Sequence, residues 1–270
     1  MDIAEFQQTI LSNYEEAGRD FPWRETSPWG IMVSEFMLQQ TQTERVIPYF
    51  VRWMKLWPEP KDLANASMEE ALREWSGLGY NRRCKYLKDC AALITREDGK
   101  VPDTPQALLP LPGIGPYIAG AVACFAYNYP SVFIETNIRS TVIHFFFPGR
   151  TDIKDAEIIP ILQSALDQAN PRIWYYALMD YGAALKKLIP NPNRRSAHYV
   201  RQSPFEGSFR QARGKVLRTL VSTGPGNAEK IGKTSGLETE ELYRVLEALE
   251  KESMVAEERG IYRIKDEPAP

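Results

Sequence analysis

The 270-residue chain is short of several things, and each shortage excludes a class of protein. It has three cysteines, Cys84, Cys90 and Cys124. That is too few for a disulfide framework, and their spacing fits no zinc signature, so they read as small buried thiols and no metal site is expected. No apolar run approaches the roughly 20 residues that span a bilayer. The opening MDIAEFQQTI lacks the basic-then-apolar pattern of a signal peptide, so the expectation is a soluble, unexported protein with no membrane partner. Charge of one sign is not in excess: the formal net charge is −2, which by itself announces no polyanionic partner. No long alternating run occurs before the last fifteen residues, and there is no internal repeat or low-complexity segment. With 43% hydrophobic and 25% charged residues, the chain is neither disordered throughout, nor a collagen, nor a coiled-coil rod.

What is there is helical spacing. Apolar periodicity predicts helices over Ile3–Ala17, Gly30–Gln40, Glu44–Trp57, Ser67–Ser76, Arg82–Arg96, Pro105–Leu109, Pro116–Tyr127, Asn137–Phe146, Asp155–Ala169 and Pro171–Lys187. Prolines and glycines punctuate them, among them Pro28, Pro58–Pro60, Gly77–Gly79 and Pro112–Gly115. Residues 189–208, with Pro190, Pro192 and Pro204 and no period, read as a linker. Beyond it, helices at Phe209–Ser222, Ala228–Thr234 and Glu238–Glu252 precede two short strands around Arg259–Gly260, the pattern of a winged helix. The fold class is all-α with this small carboxy-terminal addition.

Charge is unevenly placed. Between Gly182 and Arg218 stand nine basic residues, Arg194 and Arg195 among them, against the single acid Glu206. Such a cluster is an electrostatic footprint for a polyanion or a solvated helix and linker. The stretch LLPLPGIGPYIAG (Leu108–Gly120) adds a second anion-binding feature. Gly113 and Gly115 let another backbone come close, Pro116 fits the first turn of a helix, and free amides at that helix start attract phosphate. Read alone, it is either a phosphate-binding helical hairpin or a tight turn without a ligand.

The LPGIGPYIAG segment resembles the helix-hairpin-helix of the DNA glycosylase superfamily that includes endonuclease III (HhH-GPD). FPWRETSPWGIMVSEFMLQQTQTERVIPYF (Phe21–Phe50), WSGLGYNRRCKYL (Trp75–Leu87), FIETNIRSTV (Phe133–Val142) and ALMDYGAALKK (Ala177–Lys187) narrow this to MutY-type adenine DNA glycosylases. The resemblance covers roughly residues 1–187. It implies a two-lobed helical fold: 24–130 as a six-helix lobe carrying the hairpin, 1–23 with 131–188 as a second lobe, 189–208 as a basic linker and 209–270 as a winged-helix-like domain.

The resemblance also gives roles to residues. Glu35 lies in the apolar run IMVSEFML, with Gln39 and Gln42 on the same helix edge. Burial there favours a protonated carboxyl, and Glu35 falls on the family's general acid. Glu135 occupies the place of the family's Asp, one methylene longer, followed by the matching Asn137. A carboxylate there would stabilise an oxocarbenium-like sugar; read without the family, Glu135 is an acid at a helix start. Tyr117 stands where bifunctional relatives carry a nucleophilic lysine, which implies base removal without lyase chemistry. Gln40 and Tyr80 match residues that wedge into the gap left by a flipped base, although Tyr80 alone would read as a core aromatic. Arg24 and Gln39 match positions near the base pocket, Arg82 and Arg83 are candidate phosphate contacts, and Leu111, Gly113 and Gly115 form the hairpin clamp.

Two departures stand out. Most of the family carries four cysteines after the helix corresponding to Pro171–Lys187, holding an iron–sulfur cluster, whereas here no cysteine follows Cys124, so no cofactor is expected. The family's usual Nudix-like carboxy-terminal reader of 8-oxoguanine is also unrecognisable. The expected activity is that of a monofunctional glycosylase in base excision repair, removing adenine opposite 8-oxoguanine or guanine. A thymine or uracil mismatch glycosylase and a catalytically silent DNA-damage binder are the alternatives. The expected partner is duplex DNA with a mispaired or damaged base, bound by a monomer in the cytoplasm at the nucleoid, or in a nucleus.

Overall fold

The computed structural model describes residues 1–266; the last four residues of the 209–270 segment lie outside the described residues. It is all-α with one two-stranded sheet: α1 (Ile3–Ala17), α2 (Pro28–Leu38), α3 (Thr43–Leu56), α4 (Pro60–Asn65), α5 (Met68–Trp75), α6 (Arg82–Glu97), α7 (Pro105–Leu108), α8 (Pro116–Tyr127), α9 (Thr136–Phe146), α10 (Asp155–Ala165), α11 (Pro171–Leu188), a 3-10 turn (Pro192–Arg195), α12 (Phe209–Thr223), α13 (Ala228–Ser235), α14 (Thr239–Lys251), β1 (Val255–Glu258) and β2 (Ile261–Ile264). The chain divides into two compact units, residues 1–31, 102–110 and 114–201 in the first and 32–101, 111–113 and 202–270 in the second. This division differs from the lobes drawn from the sequence. Residues 24–31, 102–110 and 114–130 group with the first unit, and the carboxy-terminal helices and hairpin group with residues 32–101.

In the first unit, α11 packs along α9 and α1. Phe6 of α1 is fully buried, with the edges of Phe145, Phe146 and Trp174 around it at 5.0–5.7 Å between ring centroids. The α9–α11 crossing is close because Gly182 has no side chain: a Cβ there would lie 2.2 Å from the Asn137 carbonyl oxygen. Helix α10 stops at Ala165 because the Asp167 carboxylate accepts the backbone N–H groups of Ala169 and Asn170, a turn that competes with another helical turn. The first part of the expected linker is not a linker. Pro192 opens the 3-10 turn, Asn191 caps it by accepting Asn193 N–H, Pro192, Asn193 and Ser196 are buried, and the segment pairs with Ile153 and packs on α9.

In the second unit, Trp53, Trp57 and Trp75 form an edge-to-face cluster, with ring centroids 4.5 Å and 5.4 Å apart for the Trp53 pairs. Helix α4 begins where the prolines suggested only a break. Pro60 takes the first helical position, where a missing N–H costs nothing, and the Asp62 carboxylate accepts Glu59 N–H. Helices α12–α14 bury Val216, Leu217, Leu220, Ile231, Leu242, Val245, Leu246 and Leu249. β1 and β2 are antiparallel, Val255 opposite Ile264, and turn at Arg259 and Gly260, both with positive φ (53° and 80°) as a tight two-residue hairpin requires. Helix α12 packs on α5, and the Asp266 carboxylate accepts Met68 N–H at 2.7 Å.

Candidate active site

The carboxyl groups singled out in the sequence belong to different units, Glu35 to the second and Glu135 to the first. Helix α2 starts where Ser27 accepts N–H groups from Gly30 and Ile31. It carries Glu35 at 4% exposure between buried Ser34 and buried Phe36 and Met37. An acid in so dry a setting is uncommon unless it has a task or a partner.

The end of α2 is held by Arg83. This arginine is only 6% exposed and is not a surface phosphate contact, which corrects the expectation for it. Its guanidinium donates to the carbonyls of Phe36 (2.9 Å), Met37 (2.9 Å), Gln39 (2.5 Å), Leu78 (3.3 Å) and Gly79 (3.0 Å), and to the Thr41 hydroxyl (3.1 Å). Burial lowers its pKa to about 10, so it remains charged at neutral pH. One side chain thus ties the loop after α2 to the loop before α6. Each loop presents one non-glycine residue in the left-handed region, Gln40 (φ 54°) and Tyr80 (φ 48°). Side chains of this size rarely occupy that region, and such strain collects at functional sites at a cost of roughly 1–3 kcal/mol each. Gln40 is exposed and Tyr80 half-buried; Gln39, beside Gln40, is half-buried. Gly77 (φ 109°) is needed here, since a Cβ would meet the Tyr49 hydroxyl at 2.1 Å.

Two residues missed in the sequence join these tips. Gln202 donates to the Tyr80 hydroxyl and, at 3.5 Å, to Gln40 Oε1. Arg210 also donates to the Tyr80 hydroxyl and lies over its ring, 5.0 Å from the centroid. Both stand beyond the segment that resembles the family, and no local signal marks them. Arg82, its side chain half exposed, and Arg213 both pair with Glu252 at the end of α14. Burial would raise the Glu252 carboxyl, but the hydrogen bonds and charges of the two arginines prevail and hold it below its ordinary value.

The hairpin glycines divide between the units. Gly113 (φ 73°) lies against Tyr86, where any Cβ would clash, and the neighbouring Pro112 carbonyl accepts from Cys90 Sγ at 3.2 Å. Leu111 beside it is half-buried. Gly115 caps α8 without a side-chain hydrogen bond, and Pro116 follows, so the first-turn amides carry no side-chain cap.

Glu135 caps α9. Its Oε1 accepts the backbone N–H groups of Asn137 (2.6 Å) and Ile138 (2.7 Å), and its Oε2 accepts Asn137 Nδ2 (3.2 Å). The structure therefore meets the plain reading of Glu135 as a helix-start acid and also brings it onto Asn137. Lys186 of α11, missed as a site residue, donates to Asn137 Oδ1 at 2.7 Å. Just before α9, Phe133 stacks on Tyr175 at 4.0 Å, and Tyr117 of α8 meets the edge of Phe133 at 5.9 Å. Tyr117 thus packs on Phe133, two residues before Glu135, and Tyr117, Glu135 and Asn137 all belong to the first unit.

Three arginines have structural partners. Arg24 donates to the buried Asp180 carboxylate (2.6 and 3.0 Å) and lies over Tyr176 at 4.4 Å, so it is held on α11 rather than open to a base. Arg195 donates to the carbonyls of Phe147 (2.7 Å) and Ile143 (3.3 Å), closing the end of α9. Arg139 pairs bidentately with Asp155 at 2.8 Å and holds that carboxyl below its ordinary value. Arg194 is exposed.

Residues 33–166 match the HhH-GPD superfamily of base excision DNA repair proteins, and residues 209–266 match the sugar-specific transcriptional regulator TrmB family. Over 232 residues the chain is 38% identical to the adenine DNA glycosylase of Mycolicibacterium smegmatis, covering 78% of each chain. The chain belongs to the adenine DNA glycosylase family. It is also 47% identical to the Mycobacterium tuberculosis adenine DNA glycosylase over 146 residues and 34% identical to the human one over 240 residues. The matches span 48% and 43% of those relatives, so this family member corresponds to about half their length. Among solved structures, a thermostable thymine-DNA glycosylase is similar with a TM-score of 0.60 and 26% identity, covering 67% of this chain and 86% of that one. Endonuclease III shares the fold, with a TM-score of 0.58 at 17% identity.

The residues present do not fit the cluster carried by most of this family. The segment after α11 offers prolines, asparagines and arginines where thiolates would be required. Cys84, Cys90 and Cys124 are all buried in helices, and burial pushes the Cys84 and Cys90 thiols far up, away from the thiolate form. Among the described residues no helix is long and apolar enough to cross a membrane.

Proposed function

We propose that this chain is a monofunctional DNA glycosylase of base excision repair that removes adenine mispaired with 8-oxoguanine or guanine in duplex DNA, without a bound cluster. The observation that carries this reading is the Glu135 carboxylate, fixed at the start of α9 by two backbone N–H groups and Asn137; Glu35, 4% exposed on α2 in the other unit, supplies the acid by the family resemblance. In the family's chemistry these are the two carboxyl groups the reaction needs. Gln40 and Tyr80, each at positive φ on a loop tied down by Arg83, are the residues that fill the gap when the target base leaves the stack.

The protonated Glu35 donates to a ring nitrogen of the flipped base. The C1′–N bond breaks with its electron pair going to the base, which leaves neutral. The sugar becomes an oxocarbenium ion, and the negative charge of Glu135 stabilises it. Water adds to C1′ and its proton passes to the Glu35 carboxylate, restoring the acid. Tyr117, at the position of the bifunctional relatives' lysine, offers no amine for a Schiff base, so the product is an intact abasic site. The amides at the start of α8 and the Leu111–Gly115 turn bind backbone phosphate.

The similarity to a thymine-DNA glycosylase favours one second reading, thymine excision from a mispair. A panel of A:8-oxoguanine, A:G, G:T and G:U duplexes with chromatographic identification of the released base tests both. Adenine release from the first two supports the proposal, thymine or uracil release supports the second reading, and binding without release makes the chain a damage binder.

A further inference from the structure

Asn137 is gripped at both ends by residues one helical turn apart on α11. Its backbone carbonyl lies against Gly182, where even a methyl group would clash, and its side-chain oxygen accepts from Lys186 Nζ at 2.7 Å. Its amide nitrogen then faces the other way, onto Glu135 Oε2 at 3.2 Å, while its own N–H reaches Glu135 Oε1 at 2.6 Å. An asparagine side chain free to rotate could offer either oxygen or nitrogen to a carboxylate. Here a cation on one side settles which: an ammonium accepts nothing, so Asn137 must turn its oxygen to Lys186 and its NH2 to Glu135.

We infer that Lys186 is a positioning residue for the reaction, holding Asn137, and through it the Glu135 carboxylate, in the orientation that faces the developing sugar cation. This rests on the assignment of Glu135 above. The placement reconciles two opposed needs. A cation in contact with Glu135 would cancel the charge that the sugar requires, whereas a cation set one amide away polarises the N–H donor and leaves the carboxylate charge exposed to the sugar. The neighbours fix the charge state of Lys186. Burial lowers its pKa, the Glu135 charge partly restores it, and Arg139 lowers it further, although Arg139 is itself paired with Asp155 and bonded to Asn193. The ammonium therefore gives up its proton at a lower pH than an ordinary lysine, and the alkaline side of the rate profile should fall there.

The test uses the full chain with K186M and with K186C alkylated by bromoethylamine, which rebuilds a lysine-like amine on a thioether. The three native cysteines are buried and are spared. Two measurements are made: the single-turnover rate of base release from A:8-oxoguanine duplex, and the preference for a duplex carrying a cationic pyrrolidine abasic analogue over one carrying neutral tetrahydrofuran. Loss of a hydrogen bond from a charged donor predicts a rate about 10- to 100-fold lower in K186M, with tetrahydrofuran binding unchanged and the cationic preference reduced by a similar factor. The alkylated K186C should recover both, with its alkaline limb moved to lower pH because the thioether weakens the amine base. Wild-type rates in K186M, no recovery on alkylation, loss of folding in both variants, or no cationic preference in wild type would each overturn the inference. The analogue measurement needs no target base, so a wild type that prefers the cation yet releases no base from A:8-oxoguanine would refute the proposed substrate and leave this inference standing.

Discussion

Glu135 stands where the family resemblance implies an Asp, and exchanging it separates charge from geometry. In Glu135→Gln the side chain keeps its length, and one oxygen can still accept the N–H groups of Asn137 and Ile138, which lie at 2.6 and 2.7 Å. The other terminal atom becomes an NH2 facing Asn137 Nδ2, so a donor meets a donor where a 3.2 Å hydrogen bond stood. Stability should fall by about 1 kcal/mol, the usual worth of one such bond. The rate should fall far more, because the charge opposite the developing sugar cation is gone; losing one preorganised electrostatic contact costs ~3–4 kcal/mol, or ~10²–10³ in rate. Glu135→Asp keeps the charge, and Asp is a favoured helix cap, so stability should change by less than about 1 kcal/mol. Its rate should lie within tenfold of wild type. The assay is single-turnover release of adenine at saturating enzyme, with thermal melts run in parallel. A Gln variant within threefold of wild type would reduce Glu135 to a helix cap and refute the charge argument.

Other outcomes follow from the same geometry. Glu35→Gln should retain DNA affinity and lose ~10²–10⁴ in single-turnover rate, because the amide has the shape but not the proton; turnover near wild type would remove Glu35 from the mechanism. Borohydride should trap no covalent adduct on an excision substrate, and strand cleavage should need added alkali; a reduced complex on a denaturing gel would reveal an amine nucleophile. Arg83→Lys should destabilise the fold by at least ~3 kcal/mol in denaturant titration, since a single ammonium cannot serve six acceptors, each costing about 1–3 kcal/mol when left unpaired. An unchanged midpoint would mean that the two loops are held by something else. Arg194→Ala should reduce the salt slope of DNA binding by about one, the share of one phosphate, whereas Arg195→Ala should lower the melting temperature with the slope unchanged; the reverse assignment would place the footprint on Arg195.

Most helices were legible because their apolar period is regular and their ends carry ordinary signals, such as Asp2 accepting Ala4 N–H before α1 and Asn227 accepting Lys230 N–H before α13. Helix α4 and the 3-10 turn were not, for one shared reason. Each opens on the last proline of a close-set group, Pro58–Pro60 or Pro190–Pro192, where no apolar period surrounds the capping side chain, Asp62 or Asn191. The left-handed tips at Gln40 and Tyr80 could not be foreseen from residue type, since neither residue favours that conformation.

The arginines show where reading by charge fails. Arg24, Arg82, Arg83 and Arg195 look alike in sequence to a surface cation such as Arg194. The structure gives Asp180 to Arg24, Glu252 to Arg82, and backbone carbonyls at helix ends to Arg83 and Arg195. A guanidinium has five donors in a fixed plane, so it suits a phosphate, a carboxylate or a ring of carbonyls equally well. What separates these uses is whether acceptors from distant parts of the chain converge on it, as carbonyls from residues 36 to 79 converge on Arg83. That convergence is a property of the fold. Arg83 is buried and bonded to both loops, so in the proposed DNA complex its effect would pass through the two loops it holds.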